Sequence, residues 1–249
     1  MWQTAEEFDL SRNMNEKLLV LQKDWLSICD AEGMAEKYPL SRPFLFGVTE
    51  HYMQSKNTIM IIGQEAKDFS SYKSDWPLSD IQHFNECYVN TQLDRPVAGY
   101  KYNRSPFWRF FRELANEGIE PVWNNLDKFH QIINGKTSPL SLKMENVFSR
   151  TYGNDNKSLL QREIELTKPT LVLFVTGPNY HESMATALGI DDRMLQEYRP
   201  TVSTPCQQFT KLTNMDIPLF WSYHPAYLSR RRAFQDVIAR LTTTRCHAP

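Results

Sequence analysis

Short continuous apolar runs alternate along this chain with stretches whose apolar residues recur at steps of three and four. Residues 58–62 (TIMII), 121–126, 170–175 (TLVLFV) and 217–221 have the length and β-branched or aromatic content of buried strands. Helical spacing occupies the intervals between them. Leu18, Leu21, Trp25 and Ile28 predict an amphipathic helix over 15–29, and Ser105-Pro106 opens another with Phe107, Phe110, Phe111 and Leu114 on one face and Gly118 as its stop. Leu159, Leu160, Ile164 and Leu166 predict a third, closed by Lys168-Pro169; a fourth runs from about 179 to 188. Phe234, Val237, Ile238 and Leu241 mark the last.

Strands that alternate with helices predict a three-layer α/β/α fold around a mostly parallel sheet of about four strands. A chain of 249 residues fits one such domain, with 58–241 as the core and 1–50 as a helical extension packed on it. Four segments lack a period. Residues 38–48 and 193–212 read as connections, and 136–150 is ambiguous between loop and short helix. The stretch 69–103 holds Tyr72, Trp76, Phe84, Tyr88, Tyr100 and Tyr102 and reads as a long loop beside the strand ends.

A formal net charge of −1 announces no global nucleic-acid field, yet it leaves room for positive charge confined to one face. Cys29, Cys87, Cys206 and Cys246 are dispersed, with no C-x-x-C pair, so neither a metal nor a cofactor is expected. Glu6, Glu7 and Asp9 stand where a signal peptide would be basic, and no apolar stretch approaches the roughly 20 residues that span a bilayer. A monomer in a reducing, cytoplasmic setting is the expectation.

In open α/β sheets, ligands bind outside the carboxyl ends of the strands. There the chain carries Glu65 after its first strand, Asn124 and Asn125 at the end of its second, and His224 after its fourth. Glu65 could activate water, His224 could donate to a developing anion, and either asparagine could read a planar amide. Singly, these residues suit a helix cap, a structural histidine and a turn. Their coincidence at three strand ends favours a site.

Gly63-Gln64-Glu65-Ala66 resembles the Gly-Gln-Asp-Pro motif that follows the first strand in the uracil-DNA glycosylase superfamily. His224-Pro225-Ala226-Tyr227-Leu228-Ser229 resembles its second motif, His-Pro-Ser-Pro-Leu-Ser, after the fourth. The resemblance implies a base-flipping N-glycosidic hydrolase that acts on DNA, with Glu65 in the place of the water-orienting aspartate and His224 as the donor to the leaving base. By the same resemblance Gln64 contacts the base, and Asn125 reads it, with Asn124 or Asn146 as alternatives. The base stacks on Phe69, Trp76 or Phe84, and Gly177 lies at a phosphate-contacting turn in which Pro178 replaces a serine. Leu228 is the wedge that enters the duplex, flanked by Tyr227 and Ser229, while Arg230, Arg231 and Arg232 meet phosphates. Glutamate for aspartate, Ala66 and Tyr227 for prolines and the long aromatic segment imply a pocket unlike the uracil-specific one, open to bulky bases such as the modified cytosines of phage DNA. A non-catalytic binding module on the same fold is the alternative.

Overall fold

The computed structural model describes residues 5–31, 33, 39–65, 77–138, 140 and 150–245. After a long amino-terminal helix, α1 (Ala5–Ala31), and a short one, α2 (Glu50–Gln54), the chain enters β1 (Thr58–Glu65). Helices α3 (Leu78–Gln92) and α4 (Pro106–Asn116) lead to β2 (Glu120–Asp127), then to a small hairpin of β3 (Gln131–Ile133) and β4 (Lys136–Ser138). Next come α5 (Leu159–Thr167), β5 (Leu171–Phe174), α6 (His181–Leu188), α7 (Asp192–Gln196) and β6 (Cys206–Gln208). The last elements are β7 (Leu219–Ser222), α8 (Pro225–Arg231) and α9 (Phe234–Arg245).

The central sheet has five strands in the order β2-β1-β5-β7-β6. The four expected strands form the parallel part, and β6 joins its edge antiparallel to β7. Strands buried on both faces need no polar alternation, and Ile59 to Ile62 and Leu171 to Phe174 are buried throughout. Met60, Ile62, Val172, Phe174 and Trp221 meet the layer of α1, α5 and α6, while Ile59, Ile61, Leu173 and Phe220 meet α4, α8 and α9. The three-layer α/β/α architecture follows. No helix among the described residues is long and apolar enough to cross a membrane.

Two elements escape the hydrophobic pattern for physical reasons. Helix α3 lies inside the aromatic stretch that reads as a loop, because much of its buried face is amide rather than apolar. Gln82 and Asn85 donate to the carbonyls of Phe46 and Leu45, and Gln22 and Asn15 of α1 donate to those of Phe46 and Val48. The extended segment 41–49, buried at nearly every position, is satisfied in part by these side chains and in part by the chain after β2, where Ser41 and Phe44 donate to the carbonyls of His130 and Lys128. Strand β6 is only three residues long and mostly polar, so residues 193–212 carry a strand and α7 where a plain connection is expected. Helix α5 is the opposite case, because Ser158 and Gln161 form a reciprocal capping box, legible in sequence.

Candidate functional site

The register aligns the strand exits. Asn124, Ile62, Phe174 and Trp221 lie in one row across the four parallel strands. Three positions further on along each chain stand Asp127, Glu65, Gly177 and His224, and Glu65 pairs directly with Asp127. Neighbouring strands are about 4.8 Å apart, so the backbones at Glu65 and His224 leave the same sheet edge roughly 10 Å from each other. A small ring between them would fill that gap. The Glu65 side chain lies outside the described residues, as do Phe69, Trp76 and Asn146.

His224 caps α8, and its Nδ1 accepts the backbone N–H of Ala226 at 3.2 Å. A neutral imidazole that accepts at Nδ1 carries its proton on Nε2. The local fold therefore fixes the tautomer and makes Nε2 a donor. Pro225 at the first helical position sets the turn, and the ring stacks on Phe107 with centroids 5.8 Å apart.

Strand β2 alternates its side chains, and this separates the two asparagines. Trp123 and Asn125 face α4: the Trp123 ring meets Phe107 at 6.0 Å and Trp108 at 5.1 Å, and its indole N–H donates to Asn125 Oδ1 at 2.9 Å. Asn125 is 1% exposed, and its Nδ2 has no hydrogen-bond partner among the described residues. Gly63 is the reason this amide fits, since a Cβ there would lie 2.5 Å from Asn125 Oδ1. Half-buried Tyr88 closes the wall, 6.2 Å from Trp123. Helical and strand spacing alone assigns Phe107 and Trp123 to the core; the missed signal was that Trp123 stands two before Asn125 and hence on its face.

Gln64 and Gly177 tie neighbouring exits together. Gln64 Nε2 donates to the carbonyl of Thr176 at 2.6 Å. Gly177 donates to Ser222 and accepts from the Trp221 indole. Its φ of +71° favours glycine, whereas space does not, since a Cβ would meet His224 N and Gln64 Nε2 only at ordinary contact distance.

Four expectations are corrected. Asn124 faces the opposite layer, where it donates to Glu163 and accepts from Lys128 inside a buried network, so it does not share the Asn125 surface. Phe84 stacks with Tyr88, meets Tyr100 at a tilt under Arg42 and, among the described residues, makes no ring contact with His224 or Phe107. Leu228 is fully buried in the core with Phe110 and Phe234; residues 225–231 are a helix rather than a loop, and Pro225 and Leu228 fall on its inner face, so Leu228 is no wedge. Arg230 and Arg231, expected to meet phosphates, lie in the last turn of α8, where the helix dipole accounts for positive charge without a phosphate. The outward side chain is half-buried Tyr227, tilted against Tyr223 at 4.3 Å with the Arg231 guanidinium 5.4 Å from its ring. Ser229 follows it, half-buried.

Leu228→Ala is accordingly expected to behave as a core truncation, lowering unfolding free energy by about 3 kcal/mol in urea titration. A loss of DNA affinity at unchanged stability would restore the wedge.

In the other layer, His181, Glu182 and Asp192 could offer ligand atoms within 4.8 Å of one another, but two of these residues are half-buried, one is exposed, and His181 Nε2 already meets Gln196 at 2.9 Å. Searches with the whole chain returned no matching protein-family model and no matching curated protein.

Proposed function

We propose that this protein is a DNA glycosylase, which turns one altered or modified pyrimidine out of DNA and hydrolyses its bond to the sugar. The observation that carries the reading is the shared sheet edge of Glu65 and His224, with the imidazole proton fixed on Nε2. When the N-glycosidic bond breaks, its electron pair leaves with the base and positive charge builds on the sugar. Water adds to the anomeric carbon and gives up a proton. Glu65 suits the cationic end and the water, and the Nε2–H of His224 suits the departing anion.

A base within a duplex is out of reach, and turning it out costs a few kcal/mol. Phe107, Trp123 and Tyr88 offer ring surface next to His224 for such a base, and Asn125 offers amide hydrogens to its edge. Tyr227 and the exposed Arg230 and Arg231 suit the flanking strand. The test is a panel of single- and double-stranded oligonucleotides carrying uracil, hypoxanthine or modified cytosines, treated with alkali after incubation. Alkali-labile sites at uracil or a modified cytosine support the reading; their absence at every such pyrimidine overturns it.

His224→Asn keeps a good helix cap but draws the donor back. The expected result is a kcat lower by about 10² to 10³ with KM changed only a few-fold. An unchanged kcat would remove His224 from the chemistry.

A further inference from the structure

We infer that Trp123 is a positioning residue, which makes the Asn125 amide present its N–H donors and so selects a ring edge bearing a hydrogen-bond acceptor. This rests on the reading that the strand-edge site holds a planar base, but not on any bond being broken. An asparagine amide free to turn offers either a donor or an acceptor. Here the turn is blocked. The indole N–H of Trp123 can only donate, and it points at Asn125 Oδ1 at 2.9 Å. Flipping the amide would set two donors against each other.

The same oxygen occupies the room left by the missing Cβ of Gly63, which would lie 2.5 Å from it. What remains for a ligand is Nδ2, buried, with no partner among the described residues. A buried donor left unpaired is costly, and native structures keep few of them. A carbonyl oxygen would satisfy it. An exocyclic amino group in that place would meet it donor to donor. Phe107 and Tyr88 around Trp123 hold the indole plane in place.

The test uses free uracil and free cytosine as probes, because at ring position 4 they present a carbonyl acceptor against an amino donor, N3 changing alongside from N–H to bare nitrogen. Each is titrated into ¹⁵N-labelled full-length protein, following the Asn125 side-chain amide and the Trp123 indole signals. Uracil is expected to shift both signals at concentrations at least about tenfold below cytosine. Trp123→Phe keeps the ring and loses the donor, and should bring the two bases within about threefold of each other while the His224 ring signals still respond. Gly63→Ala pushes on the same oxygen and should give the same loss, which covers the case of a poorly folded Trp123→Phe. Equal or reversed preference in the parent protein, no response to either base, or a preference kept in both variants would overturn the inference. Preference without excision from any oligonucleotide leaves this inference standing and removes the proposed activity; excision with a preference untouched by either variant does the reverse.

Discussion

Replacing Lys128 with methionine is expected to lower unfolding free energy by about 3 to 5 kcal/mol, the usual cost of stranding one member of a buried ion pair. The Lys128 ammonium lies 2.8 Å from Glu163 Oε2, with side-chain exposures of 3% and 0%. Asn124 and Gln22 donate to the same carboxylate at 2.9 and 3.2 Å. Phe44 and Phe46 place their rings 5.7 and 5.9 Å from the ammonium. Burial pulls the Lys128 ammonium below the ordinary lysine range, and Glu163 partly restores it. Without the lysine, the carboxylate keeps its amides and loses its counter-charge. The melting temperature should fall by roughly 6 to 20 °C for a chain of this size. Lys128→Met combined with Glu163→Leu should recover most of the loss, since removing both charges leaves none stranded. Urea titration of the single and double variants checks this. A single variant within about 1 kcal/mol of the parent would show that the network contributes little.

The second large effect concerns chemistry. Glu65→Gln keeps the shape of the side chain and removes its charge. A carboxylate about 4 Å from a developing cation is worth roughly 4 kcal/mol at an effective dielectric of 20, which is about a thousandfold in rate. Turnover should fall by that factor with DNA affinity unchanged within about threefold. Affinity and its salt dependence come from phosphate contacts, which this substitution leaves alone. A protein that only binds would show no turnover to lose, and one whose glutamate merely braces the loop would lose affinity along with rate. Measuring single-turnover rate and equilibrium binding on the same oligonucleotide separates these outcomes.

The parallel sheet was legible because β1, β5 and β7 are buried on both faces and appear as short apolar runs, while β2 carries Asn124 and Asn125 and is polar at its exit. The amide-lined helix α3 was not, since Gln82 and Asn85 serve the backbone of an extended neighbour and interrupt the apolar positions Ile81, Cys87 and Val89. Strand order follows from pairings remote in sequence, yet the placement of Glu65 and His224 on one edge needed only that both strands be parallel. The side-chain detail was less accessible. Leu228 looks like a loop tip until residues 225–231 wind into a helix and turn it inward. Asn124 and Asn125 are interchangeable as letters; strand alternation sends one to a buried ion pair and the other to the aromatic wall.

The excision claim is tested most directly by mass spectrometry of the free base. A modified oligonucleotide is incubated with the parent protein and with Glu65→Gln, and the small-molecule fraction is compared with the abasic strand. The account requires one equivalent of intact base per abasic site from the parent and next to none from the variant. Strand loss as nucleotides, or no base from either protein despite tight binding, would contradict it.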